Sequence, residues 1–155
     1  MSPQHDQTWL QRAVALAQGN VARGGRPFGA VLVKDDEVRA EAVNEIHLSQ
    51  DPTAHAEMLA IRTASQTLGT NLEGCVIYAS GQPCPMCLGA MYLCGVSRVV
   101  FAASNEMAAP FGLSTAAIYQ QVALPLAAQK LPVQHLPQAA MQTLYAHWKA
   151  LHDAQ

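Results

Sequence analysis

Charge is scarce in this 155-residue chain: only 13% of its residues are Asp, Glu, Lys or Arg, against about 25% in an ordinary soluble domain. Such a surface points to partial cover by a partner subunit. Basic residues are no exception, with nine Lys and Arg against eleven Asp and Glu, a formal charge of −2 and no window that gathers the cations. That disfavours a nucleic-acid partner, because phosphate contacts need clustered Lys and Arg. Uninterrupted apolar runs are also missing. The longest apolar stretch, Met86 to Ala103, is split by Gly95, Ser97 and Arg98, so it reads as core and not as a membrane span. The opening "MSPQHDQTW" has no basic-then-apolar leader. Cysteine is confined to Cys75, Cys84, Cys87 and Cys94. A chain of this length buries roughly 70% of its unfolded surface and needs no disulfide framework. The expected setting is a reducing cytoplasm, with the thiols free or on a metal.

Residues 7–22 place Leu10, Ala13, Val14, Ala17 and Val21 at helical spacing after a candidate cap at Asp6, which predicts an amphipathic first helix. Two apolar runs split by Asp35 and Asp36 predict a β-hairpin with strands near 29–34 and 38–43. "IHLSQDPT" reads as loop, and a helical pattern runs from Thr53 or Ala54 to Leu68, stopping at Gly69. Then come a strand at 75–80, a helix at 85–95 and a strand at 98–104, a β-α-β order that implies a parallel pair. Beyond Ser104 the pattern mixes loop with a short helix, "KLPVQHL" reads as a last strand, and Pro137 opens a terminal helix. The sum is a single α/β domain over 1–155, one mixed sheet with helices on both faces.

Chemistry concentrates at "PCPMC". Pro85 suits the first position of a helix, where the missing N–H is not needed. Cys84 then becomes the N-cap and Cys87 the third helical residue, two positions whose side chains turn back together. A helix N-terminus favours thiolate over thiol. Alone, C-x-x-C serves either a metal or thiol–disulfide exchange, and a third ligand decides between them. It appears in "DPTAHAEM", where His55 and Glu57 fall in the first turn of the preceding helix. In mid-helix, residues two apart diverge; at helix starts that face one cavity, both can serve it. One imidazole and two thiolates make a three-ligand zinc site with an open fourth position, the catalytic pattern. Such a metal lowers the pKa of a bound water to about 7, and Glu57 is placed to carry its proton as general base and then acid.

H-x-E followed by P-C-x-x-C is the zinc deaminase signature. Together with "PFGAVLVKDDEVRAEAVNE", "DPTAHAEMLAIRTAS" and "PCPMCLGAMYLCGVSRVVFAA", it makes the chain resemble the cytidine-deaminase-like superfamily from about Val14 to Ala103, in particular the branch of bacterial guanine deaminases and tRNA adenosine deaminases. The resemblance implies a three-layer α/β/α sandwich with a five-stranded mixed sheet, and a homodimer. It also implies Zn2+ on His55, Cys84 and Cys87, with Glu57 as proton shuttle. It further implies that Asn44 hydrogen-bonds the ring edge, Phe28 walls the pocket and the Ala56 backbone N–H contacts the ring. The implied reaction is hydrolytic deamination of a nucleobase or nucleoside in purine metabolism, releasing ammonia.

The chain departs from that pattern twice. Gln82 stands where relatives commonly have Glu, removing a negative charge near the metal. In "GLSTAAIY", Ser114 and Thr115 stand where guanine deaminases of the branch carry an acidic pair that would meet the N–H edge of guanine. Another purine, a pterin or a cytosine therefore stays open as substrate. The alternatives are tRNA adenosine deamination, for which the terminal helix offers Lys149 alone among cations, and an inactive zinc-stabilised scaffold. Cys75, Cys94, Met58, Met86 and Met91 read as packing. His47 reads as surface, and His135, His147 and His152 have no partner pattern. Tyr145 and Trp148 are candidates to close a pocket, that of a neighbouring subunit included.

Overall fold

In the computed structural model, which describes residues 3–153, the chain forms two units that divide between Gln120 and Gln121. The first is organised by the turn at Asp35 and Asp36. Both residues take positive φ, 53° and 60°, the left-handed region a two-residue hairpin requires and Asp tolerates. They join β1 (Gly29–Lys34) to β2 (Glu37–Val43) as antiparallel neighbours. β3 (Cys75–Gly81) pairs antiparallel with β1, and β4 (Arg98–Ala103) runs parallel to β3. The order is β2-β1-β3-β4. Since β2 and β3 both oppose β1, they run the same way, and the chain leaves each of them at the same edge of the sheet.

That edge is where the site forms. After β2 the chain makes a one-turn helix α2 (Ile46–Ser49) and then α3 (Ala56–Leu68); after β3 it makes α4 (Pro85–Cys94). Ala56, Ala60 and Ala64 of α3 and Cys87 and Met91 of α4 pack with Ala30, Leu32 and Ile77 on one sheet face. On the opposite face, Ala13 of α1 (Pro3–Ala22) packs with Val31, Val33, Val76 and Tyr78. Cover on both faces is why β1 reads as a continuous apolar run and not as an alternating one. Gly29 permits the approach of α1: a Cβ there would lie 2.5 Å from the Ala13 carbonyl oxygen and 2.9 Å from the Ala17 nitrogen.

The three layers match the sequence reading, but the strand number does not. Among the described residues the sheet has four strands, and "KLPVQHL" (130–136) forms none. Pro132 has no N–H to give a ladder, and Pro137 restricts the residue before it. The second unit holds a 3-10 turn at Leu126–Ala128 and a helix at Ala139–Asp153, which starts two residues after Pro137. Within it the Lys130 N–H donates to Gln121 Oε1 at 2.8 Å, and Trp148 stacks on His152 with ring centroids 3.9 Å apart. No helix among the described residues is long and apolar enough to cross a membrane.

Asp6 proves to lie inside the first turn of α1, not at its cap, because the helix already begins at Pro3. Its carboxylate accepts from the Tyr78 hydroxyl at 2.6 Å and from both Arg98 nitrogens at 3.1 and 2.7 Å. It thereby ties the start of α1 to β3 and β4. These donors, Arg98 foremost and then Tyr78, hold the Asp6 carboxyl down at about 2. A depressed acid contributes stability above its unfolded pKa and loses it as pH falls through the folded one. The stability difference between the wild type and Asp6→Asn, measured by urea unfolding, is expected to be constant above pH about 5 and to close as pH falls through about 2.

Candidate active site

Each ligand candidate is presented by a helix start. The loop before α3 is set by Asp51, whose Oδ1 accepts from the Thr53 N–H at 2.8 Å and the Thr53 hydroxyl at 2.7 Å. This is the local side-chain turn for which Asp is favoured. His55 follows as the N-cap of α3, with extended backbone (φ −77°, ψ 150°), and so precedes the first turn in which the sequence reading placed it. Glu57 is in that turn. Across the cleft Cys84 is the N-cap of α4, with Pro85 behind it, and its Sγ accepts the Cys87 N–H at 3.5 Å. The capping reading of "PCPMC" is thus realised with sulfur as the acceptor.

These starts bring three donor atoms together. His55 Nδ1 lies 3.4 Å from Cys84 Sγ and 3.5 Å from Cys87 Sγ, and the three ligand atoms all fall within 4.8 Å of one another. Zinc bonds of about 2.3 Å to sulfur and about 2.0 Å to nitrogen at tetrahedral angles put N and S about 3.5 Å apart. The spacing and the soft donor set therefore fit zinc. Cys84 is held well below the usual thiol range, first by the hydrogen bond from Cys87 and then, against desolvation, by His55. Cys87 is pushed up because it supplies the proton of that bond and is buried. His55 is raised, chiefly by its bond to Cys84.

Glu57 is 6% exposed, and burial pushes its carboxyl up to about 7. A carboxyl that titrates near neutral pH beside a metal site is suited to accept and return a proton.

A cavity of about 150 Å3 opens beside these groups, lined by His55, Glu57 and Cys84 together with Phe28, Asn44, Ser114 and Thr115. It is smaller than the roughly 300–1,000 Å3 typical of drug-sized ligand sites and suits one small ring. Ala56 and Cys87 are fully buried and are not part of the lining. Sequence reasoning missed Arg26 and Leu113, and it noted Gln82 only as a departure; all three line the cavity. His47 does not, and it backs the loop before Arg26, where a Cβ on Gly25 would meet its ring at 2.5 Å. Tyr145 and Trp148 lie in the second unit, exposed.

The segment after β4 is laced to the start of α4 by polar bonds. Gln82 Oε1 accepts the Asn105 N–H at 2.9 Å, Asn105 Oδ1 accepts the Thr115 N–H at 3.2 Å, and the Tyr119 hydroxyl donates to the Pro83 carbonyl. Ser114 Oγ accepts the Ala116 N–H at 3.1 Å, where α5 (Ala116–Val122) begins.

Asn20, 2% exposed, is missed as well. Its Nδ2 donates to the carbonyls of Arg26 at 2.8 Å and Asn44 at 2.9 Å, joining two pocket walls. The only signal in the sequence is an Asn near a helix end just before Gly24 and Gly25. Asn20→Ala takes this donor from the buried Asn44 carbonyl and leaves the Arg26 carbonyl with the Phe28 N–H. The expected loss is about 2 kcal/mol, read as a fall of roughly 4–8 °C in thermal midpoint.

Residues 3–103 match the family described as the cytidine and deoxycytidylate deaminase zinc-binding region. The guanine deaminase of Bacillus subtilis is 41% identical over 145 residues, covering 92% of this chain and 93% of that protein. A tRNA-specific adenosine deaminase of Aquifex aeolicus is 42% identical over 99 residues, 63% of this chain and 66% of that one. The X-ray structure of guanine deaminase from Bacillus subtilis superposes with a TM-score of 0.88 at 39% identity, covering 97% of this chain and 95% of the other. Matched over more than half its length, and carrying the three donors and the buried carboxyl at the junction of two helix starts, the chain belongs to the cytidine and deoxycytidylate deaminase zinc-binding family.

Proposed function

We propose that the protein is a zinc-dependent hydrolytic deaminase of a free nucleobase or nucleoside, a guanine-deaminase-like enzyme in purine metabolism. The observation that carries this reading is the buried Glu57 carboxyl beside the His55, Cys84 and Cys87 cluster at the edge of a ring-sized cavity. Zinc held by those three residues would supply the Lewis acidity that activates water at neutral pH. Glu57 takes a proton from the water that adds to the amine-bearing ring carbon and passes it to the adjacent ring nitrogen. It then carries a proton to the amine, the C–N bond breaks, and ammonia leaves while the water oxygen stays as a carbonyl. Phe28 packs on the ring and Asn44 donates to its edge.

The likeness over 92% of the chain supports treating residues 1–155 as one deaminase domain. A homodimer is supported by the apolar stripe Met141, Leu144, Tyr145, Trp148 and Leu151 and by Tyr92 and Leu93, all exposed, since exposed apolar patches mark interaction surfaces. Cytoplasmic residence fits the four free cysteines. The test is ammonia release by the zinc-loaded protein from guanine, adenine, cytosine, their nucleosides and aminopterins. Release from one of these rings is expected; a zinc-loaded protein inert toward all of them contradicts the reading.

A further inference from the structure

Three polar side chains in the lining of the cavity already use an oxygen to accept a backbone N–H. Asn44 Oδ1 is engaged by the Ile46 N–H at 3.0 Å, Gln82 Oε1 by the Asn105 N–H at 2.9 Å and Ser114 Oγ by the Ala116 N–H at 3.1 Å. Each of these oxygens thus has one lone-pair site taken by the backbone, and each group keeps a free N–H or O–H for a ligand. Arg26 brings donors only, and among the described residues its side chain makes no ion pair or hydrogen bond. Thr115 Oγ1 is buried without a partner. Glu57 is the sole carboxylate in the lining, and it belongs to the proton relay.

We infer that the substrate presents lone pairs, an unprotonated ring nitrogen or a carbonyl oxygen, to the wall formed by Arg26, Ser114 and Thr115. Amine-bearing rings with no N–H beside the amine are therefore favoured over guanine. The inference rests on the deaminase reading and narrows its substrate class. In guanine the 2-amine adjoins N1–H; in 2-aminopurine the same amine adjoins a bare N1. A ring N–H set against the Arg26 guanidinium, which has no acceptor, leaves both groups unpaired, which is unfavourable. The carbonyl of guanine is itself an acceptor, so its absence from 2-aminopurine works against the preference predicted here and makes the comparison a stringent one.

The experiment compares kcat/KM for 2-aminopurine and guanine in the zinc-loaded wild type, Ser114→Asp and Arg26→Glu. Intrinsic reactivity cancels when the ratio of the two bases is compared between proteins. Asp, like Ser, accepts a backbone N–H two residues on, so Ser114→Asp keeps the bond to the Ala116 N–H where this helix begins. Arg26 is exposed, so its replacement leaves the core intact. Each variant supplies an acceptor, and each is expected to swing the ratio toward guanine by about 10-fold or more. An unchanged ratio in both variants, or a swing away from guanine, overturns the inference. If neither purine is turned over, their dissociation constants from the same three zinc-loaded proteins carry the same predicted swing. The deaminase reading fails instead when no ring releases ammonia, so the two failures are separable.

Discussion

Glu57→Gln is expected to lower ammonia release by roughly 10²–10⁴-fold while leaving zinc content unchanged. Glutamine keeps the shape of the side chain and cannot ferry a proton. It also removes a buried ionisable group, which gives a second readout in the metal-free protein. The Glu57 carboxyl is raised by burial from 4.5 to about 7. In the unfolded chain it ionises near its ordinary value, whereas the folded protein holds the proton until about 7. Between those values the unfolded state binds fewer protons, so stability falls as pH rises. The wild type is therefore expected to lose on the order of 3 kcal/mol relative to Glu57→Gln between pH about 4.5 and 7, with no further change above that. Urea unfolding of both metal-free proteins across this range checks the sign. A gap that widens in favour of the wild type with rising pH contradicts the assignment of Glu57 as a desolvated carboxyl.

Cys87→Ser is expected to abolish tight zinc binding, with activity lost alongside it. Three ligands leave no redundancy, and the site is buried enough that a hydroxyl cannot replace the thiolate. For the wild type, zinc at 100 times its dissociation constant adds about 2.7 kcal/mol to folding stability, a rise of roughly 5–10 °C in thermal midpoint for a chain of this size. Cys87→Ser should show little of that rise and less than one zinc per chain by elemental analysis. Cys94→Ser is the matched control. Its thiol lies at the end of α4 and donates to the Met91 carbonyl at 3.6 Å, away from the cluster, so zinc content and the zinc-dependent shift should be retained. Equal loss in both variants would mean that the effect is general destabilisation.

The cluster of His55, Cys84 and Cys87 with Glu57 buried beside it is legible in sequence because its logic is local. Proline at a helix start fixes where Cys84 and Cys87 point, and the strand directions bring His55 to the same edge. Boundaries governed by tertiary bonds were less accessible. His55 caps α3 instead of sitting in its first turn, because the chain from Asp51 to Thr53 is closed by a side-chain turn. The stretch at 130–136 has strand-like residues yet forms no strand, since strand structure needs a neighbour to pair with and Pro132 cannot donate to one. Arg26 and Asn20 were invisible for another reason. An Arg in a Gly-Pro-rich loop has no periodicity to betray it, and Asn20 matters only through carbonyls that the fold brings within reach. The replacement of an acidic pair by Ser114 and Thr115 was readable as a departure. Which oxygens of the pocket accept a backbone N–H is set by the tertiary fold and leaves no trace in the sequence.

The central claim is hydrolysis of a ring amine, and isotopic water tests it most directly. The zinc-loaded protein is incubated with its substrate in water carrying heavy oxygen, and the product is analysed by mass spectrometry alongside the ammonia released. One labelled oxygen per product molecule and one ammonia per product are predicted, both suppressed in Glu57→Gln. Ammonia released without label in the product, or labelled product formed equally well by Glu57→Gln, would contradict the account.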